Sequence, residues 1–388
     1  RPRCAGRRLY NVRMTRKALG LAAALVLGAT LSVAVAQSRR PGPASPPPPQ
    51  TPAQLATRAL VEGRFDEVRT LTQNDRVDPV MVAIRARADI AQGRYSDAES
   101  LLRPVAERQP TSDAALELGI LLRLLGKPEG TAILTRVANS AEVANRAADL
   151  ARAATALRVI GRFNEANAAY RDAATAAPRD PAIQTAWGEM FLEGRCQTCN
   201  ADALKSFQAA LKEDARWVPA LVGMAHAVSD EDPPQAVGYA TKALEINPSS
   251  VAAHLFIAAE STDAGHRDDA RKAITAALEV NPSSIEAHAL LAALAYVEDK
   301  PREYDAAMAK VLSIAPNYGE AYRVAGELAA HNYRFDEAVV LVRKGLALNP
   351  GNPRMLSDLG THLLRTGDEA GAREALEQSF KDHPYDVV

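Results

Sequence analysis

Five prolines stand at a constant interval: Pro248, Pro282, Pro316, Pro350 and Pro384, each 34 residues from the next. Proline has no amide proton and its ring clashes with the preceding turn, so it cannot continue a helix. It also pushes the residue before it out of the α region. The text around these stops repeats as well: Ala243-Leu244-Glu245-Ile246-Asn247-Pro248, then Ala277-Leu278-Glu279-Val280-Asn281-Pro282, then Gly345-Leu346-Ala347-Leu348-Asn349-Pro350. A unit this short cannot bury its own apolar face, so successive units must bury it together in a stack.

A second marker lies inside the units. It reads Gly63-Arg64-Phe65-Asp66-Glu67, Gly93-Arg94-Tyr95-Ser96-Asp97-Ala98, Gly161-Arg162-Phe163-Asn164-Glu165-Ala166 and Gly265-His266-Arg267-Asp268-Asp269-Ala270. Glycine supplies the left-handed turn that closes a first helix. The aromatic covers the turn, and the acidic, amide or hydroxyl residue is expected to cap a second helix. The alanine lets the two helices approach. Composition agrees: 47% of residues are apolar but only 5% aromatic, which suits helices in close contact better than a β-sandwich.

These marks resemble the tetratricopeptide-repeat family. Residues 251–284 supply Ala258, Gly265, Ala270, Ala277 and Pro282 at the matching places. Residues 319–352 supply Gly326, Ala338 and Pro350, and residues 353–386 supply Gly360, Gly367, Ala372 and Pro384. Asp299 and Tyr333 depart from the turn glycine, Tyr304 departs from the alanine, and residues 127–144 match poorly and are expected to form an irregular unit. The resemblance implies an all-α, right-handed superhelical solenoid over residues 53–388, about nine repeats plus a weak first one. It also implies a concave face lined by first helices, where ligands bind. The positions it places there are Asp263, Tyr296, Glu320, Arg323, Glu327, His331 and Arg365, with Thr262, Glu286 and Arg354 beside them. Arg87, Arg123, Arg158, Glu189 and His226 take such places in earlier units. Their mixed charge points to a protein or peptide partner. The Lys and Asn set with which some relatives clamp a chaperone tail is not present in convincing form.

Residues 1–13 read as a non-native or upstream segment. From Met14 the chain has a basic start, an apolar run over residues 18–36 and the exit Ala34-Val35-Ala36, the three parts of a secretory signal. Residues 14–36 are therefore expected to be a bacterial signal peptide or an N-terminal anchor. That places the protein outside the cytoplasm, periplasmic or secreted, with membrane attachment only through a retained 18–36 segment. No cysteine follows the exit, against a lipoprotein. Residues 37–52, with Pro46-Pro47-Pro48-Pro49, form a proline-rich linker.

Lys and Arg number 46 against 47 Asp and Glu, so no net field draws the chain to nucleic acid. The sequence has no phosphate loop, no Gly-x-Ser-x-Gly elbow and no His-Glu-x-x-His stretch. Neither an enzyme nor a cofactor is expected. His254 and His288 stand one repeat apart, but Tyr322 and Leu356 continue their series, which reads as a packing spine rather than a metal ladder. Cys196-Gln197-Thr198-Cys199 sits in a turn about three residues longer than its relatives. A disulfide pinning that turn is the leading reading. Half a zinc site and a thiol-redox role are the alternatives.

The last unit runs into His383-Pro384-Tyr385-Asp386-Val387-Val388 with no capping helix after it, which suggests a fragment. That ending is similar to the junction at which repeats precede a peptidase MA-like domain in large secreted bacterial proteins. The expected function is an exported repeat scaffold that binds a polypeptide in its groove. The alternative is the recognition arm of a larger secreted metallopeptidase.

Overall fold

The computed structural model describes residues 50–194 and 198–382; the signal, most of the linker, Cys196 and the last six residues lie outside them. The described residues from Gln50 onward form one compact unit. It consists of consecutive antiparallel helix pairs: α1 (Pro52–Val61) with α2 (Phe65–Thr72), α3 (Pro79–Ala91) with α4 (Tyr95–Arg108), α5 (Asp113–Leu124) with α6 (Glu129–Asn139), α7 (Ala147–Val159) with α8 (Phe163–Ala176), and α9 (Pro181–Gly194) with α10 (Cys199–Glu213). Then follow α11 (Val218–Val228) with α12 (Pro233–Ile246), α13 (Val251–Asp263) with α14 (Arg267–Val280), α15 (Ile285–Val297) with α16 (Pro301–Ile314), α17 (Glu320–His331) with α18 (Phe335–Leu348), and α19 (Pro353–Thr366) with α20 (Glu369–Asp382).

Several first helices begin at a side chain that meets an orphan amide. Ser250 accepts from the Ala253 amide, Ser284 from that of Ala287 and Asn352 from that of Met355. The second helices that follow the marked turns start differently, unlike α12, which Asp232 caps through the Gln235 amide. Their N-cap residues are Arg64, Arg94, Arg162, His266 and Arg334, none with a side-chain cap bond. This corrects the expected capping role. Asp66, Ser96, Asn164 and Asp268 stand inside the first turn, where a carboxylate complements the positive end of the helix. The cap arginines turn instead to the carboxylate three residues on, as Arg64 does to Glu67 and Arg334 to Glu337.

The turn glycines are left-handed, as at Gly93 (φ 75°), and Asp299 and Tyr333 hold the same conformation at φ 56° and 62° without being glycine. That conformation costs a residue with a Cβ about 1–2 kcal/mol, so the repeat geometry overrides local preference there. The unit around residues 127–144 is irregular. Its α6 has only 11 residues and runs into a 3-10 turn, Ser140–Val143.

Helices close up because small residues face large ones. Phe207 on α10 is wholly buried, and a methyl group at Gly188 on α9 or Gly223 on α11 would run into its ring. His254 and His288 serve the same spine: each ring Nε2 lies 2.9 and 3.0 Å from the carbonyl oxygen of Pro248 and Pro282 respectively. They tie a helix to the loop before it.

The array also returns on itself. Asn247 Nδ2 donates to the Val61 carbonyl at 3.1 Å, and Asn281 Nδ2 to the Ile90 carbonyl at 3.3 Å. Tyr95 Oη donates to the Ser283 carbonyl at 3.1 Å, and Arg58 pairs with Asp214 at 2.6 Å. The first three turns, at Gly63, Gly93 and Gly126, thus meet the loops holding Asn247, Asn281 and Asn317. Val280 packs against the cluster of Phe65 and Met81, and Leu124 against that of Val311. One superhelical turn is therefore seated on the next along a seam of asparagines, backbone carbonyls and left-handed glycines.

Candidate functional site

First helices stack side by side along the inner face, and residues one or two turns apart on α13, α15 and α17 enclose a hollow of about 390 Å3. Its floor is apolar: Leu255 and Ala259 from α13, Ala289 and Leu290 from α15, Val324 and Leu328 from α17. Tyr318 forms a wall. Asp263, Glu286, Glu320, Arg323, Glu327 and His331 supply the polar rim. The repeat explains the convergence: α13, α15 and α17 are successive copies of one helix, so equivalent positions line up across the stack.

Arg323 organises this rim. Its side chain is 5% exposed and meets three carboxylates: Glu320 at 2.5 Å, Glu327 at 2.7 Å and Asp358 of α19 at 3.1 Å. Burial works against its charge, but the carboxylates more than offset this and hold the guanidinium above its ordinary pKa. Glu327 is correspondingly held low by Arg323, against its own burial. Asp263 has no such partner; it lies 3.7 Å from His331, which is charged only when protonated. Withdrawal from water pushes the Asp263 carboxyl up, and Glu327 adds to this against the pull of His331.

Other inner-face positions are placed differently. Tyr296 does not line the hollow. Its hydroxyl donates to Glu337 of α18 at 2.6 Å, and its ring lies 5.2 Å from that of Tyr304. Tyr304, which stands in place of the repeat's alanine, is its aromatic neighbour there. Arg365 is exposed in the last turn of α19, beyond the hollow. In the earlier repeats the inner arginines are already paired across neighbouring first helices, Arg87 with Glu117 at 2.5 Å and Arg158 with Glu189 at 2.8 Å. The edge of His226 meets the Phe256 ring, with centroids 4.8 Å apart.

A larger hollow of about 930 Å3 lies among α2, α3 and α4. Three of its arginines are compensated locally, Arg85 and Arg94 both by Asp89 and Arg69 by Asp66. The hollow at α13–α17 differs in its floor of six apolar side chains, where the larger one has only Val82 and Leu101.

Sequence reasoning missed His362 on α19. It is 8% exposed, its Nε2 has no hydrogen-bond partner, and its charged neighbours are Asp358, Glu327, His331 and Arg323. Its place in the repeat is that of Leu328, which hides a polar group among apolar equivalents. Burial holds His362 below its ordinary pKa. The unfolded chain therefore takes up a proton before the folded one does, and stability is lost as pH falls from neutral through the ordinary histidine range. His226 and His288 are lowered by burial in the same way. The thermal midpoint is expected to fall between pH 7.5 and 5.5, and His362→Gln to reduce that fall. An unchanged pH profile in the variant would contradict the assignment.

Among the described residues, no group of three or more His, Cys, Asp or Glu side chains could hold a metal ion, and no helix is long and apolar enough to cross a membrane. Cys199 opens α10, is buried and is disulfide-bonded.

Fold and inner face define a class, the right-handed solenoid of helix pairs with a ligand-sized groove. Tetratricopeptide-repeat sequence patterns match residues 85–152, 227–294 and 324–386, together about half the chain. The chain belongs to the tetratricopeptide-repeat family, whose repeats generally build protein-interaction scaffolds. The fold is similar to that in the crystal structure of the APC/C hetero-tetramer Cut9-Hcn1, with a TM-score of 0.53 and 16% identity, covering 85% of this chain and 67% of that one. Yeast Tom70 aligns with a TM-score of 0.46 and 15% identity over 84% of this chain and 83% of its own. A tetratricopeptide repeat protein from Parabacteroides merdae aligns with a TM-score of 0.42 and 16% identity over 81% and 98%. No curated protein sequence matches the chain.

Proposed function

We propose that this chain is an exported, non-catalytic scaffold that holds a polypeptide along its inner face, with the hollow between α13, α15 and α17 as the principal contact. The observation that carries the reading is that hollow: an apolar floor with a polar rim, on a row of aligned helices, of a size that takes one or two side chains. The signal-like segment at residues 14–36 supports export. Selection of a random dodecapeptide library on the full chain tests the binding. Ala259→Trp places an indole in the hollow and is expected to weaken the selected peptides at least tenfold while helicity is retained. Peptides that bind the variant unchanged, or a library that yields none, would overturn the reading.

Cysteines of an exported chain meet an oxidising compartment. We propose that Cys196 and Cys199 form a local disulfide that pins the connection between α9 and α10, whose sequence is about three residues longer than its relatives. Peptide mass spectrometry without reductant on exported protein is expected to find the two joined; a free thiol at either position would contradict this.

A further inference from the structure

We propose that the α13–α17 hollow is a subsite for a lysine or arginine side chain of the bound polypeptide. This rests on the groove being a polypeptide site, and it names the chemistry that the site selects.

Charge complementarity is the first support. Four carboxylates line the rim, Asp263, Glu286, Glu320 and Glu327, against one arginine, with Arg354 of α19 beside it 3.8 Å from Glu320. The guanidinium of Arg323 is already occupied by three carboxylates. Asp263 has only His331 at 3.7 Å, and Glu286 only a 3.4 Å bond from the Ser284 hydroxyl; no lysine or arginine pairs with either among the described residues. An incoming cation would meet two uncompensated carboxylates, whereas an acidic side chain would be repelled by them.

Shape is the second support. A lysine or arginine carries a long methylene stem that buries well while its head stays polar. Leu255, Ala259, Leu290 and Val324 offer that stem an apolar floor, and Tyr318 offers the head an aromatic wall.

The third is the field of the whole array, which has the same sign. Residues 1–49 hold nine of the 46 Lys and Arg and none of the 47 Asp and Glu, so residues 50–388 carry 37 cationic against 47 anionic side chains.

The dodecapeptides selected on the full chain provide the test. Lysine or arginine should be enriched at one position, and replacing it by glutamine should weaken binding by about tenfold, as should the double variant Asp263→Asn with Glu286→Gln in the protein. Circular dichroism of that variant checks that it remains folded. Both replacements together should cost little more than either alone, because they remove the same interaction. Selected peptides that are displaced by Ala259→Trp yet show no cationic preference would overturn this proposal and leave the groove reading intact. Peptides insensitive to Ala259→Trp would overturn both. A cationic preference unaffected by the Asp263 and Glu286 changes would place the cation elsewhere and overturn the subsite.

Discussion

Replacing Arg323 by alanine should destabilise the last two helix pairs by about 3 kcal/mol. The expectation follows from what the substitution leaves behind. A guanidinium with 5% of its side chain exposed disappears, and Glu320, Glu327 and Asp358 lose their shared counter-charge. Removing one partner of a buried ionic cluster commonly costs about 3–5 kcal/mol. The lower end applies because the three carboxylates keep 26%, 47% and 25% of their side chains in water and can rehydrate. Arg323→Lys should recover only part of the loss, since an ammonium cannot fork to three carboxylates held at fixed angles. Arg323→Leu combined with Glu320→Gln, Glu327→Gln and Asp358→Asn should recover more, because no member of the cluster then keeps an unpaired charge and Arg354, which loses Glu320, is 47% exposed. Urea unfolding followed by native-state hydrogen exchange over α17 to α20 reads the effect. A loss below about 1 kcal/mol would show that the cluster behaves as an ordinary surface pair.

The second large effect concerns the seam. Gly93→Ala should cost about 2 kcal/mol more than Gly265→Ala. Both glycines are left-handed, at φ 75° and 76°, so both variants bear the backbone cost of a Cβ there, about 1–2 kcal/mol. They differ in what the methyl meets. At Gly265 nothing lies within 4 Å, whereas at Gly93 the methyl runs into the Asn281 side-chain oxygen, with Ser283 Cβ at 3.2 Å. Asn281 cannot yield freely, because its amide donates to the Ile90 carbonyl and to Tyr95 Oη, both at 3.3 Å. The extra cost is that of parting two superhelical turns. Small-angle scattering should show a larger radius of gyration for Gly93→Ala and none for Gly265→Ala. Equal losses and equal radii would mean that the turns do not rest on one another in solution.

How much of this was legible in the sequence depends on the range of the interaction. The 34-residue proline step and the turn glycines report local backbone geometry, and they were sufficient for the solenoid, its register and the irregular unit near α6. The rim residues Asp263, Glu320, Arg323, Glu327 and His331 also followed, because a repeat converts sequence spacing into spatial alignment. What failed was whatever depends on a neighbour from outside the repeat. Tyr296 gives its hydroxyl to Glu337 in the next unit instead of lining the hollow. Arg323, expected on the groove face, also reaches Asp358 in the next unit. The seam was invisible, since Asn247 and Asn281 look like ordinary helix-ending residues until residues 186 to 191 positions earlier are brought against them. The second-helix caps were misplaced by two residues, because Arg64 and its counterparts carry no cap bond for a sequence pattern to announce.

Hydrogen exchange on the full chain, with and without a selected peptide at saturating concentration, tests the central claim most directly. A polypeptide held along the inner face should protect first helices, α13, α15, α17 and α19, and leave the second helices α14, α16 and α18 unchanged. Protection centred on those second helices, or on the hollow among α2, α3 and α4, would contradict it.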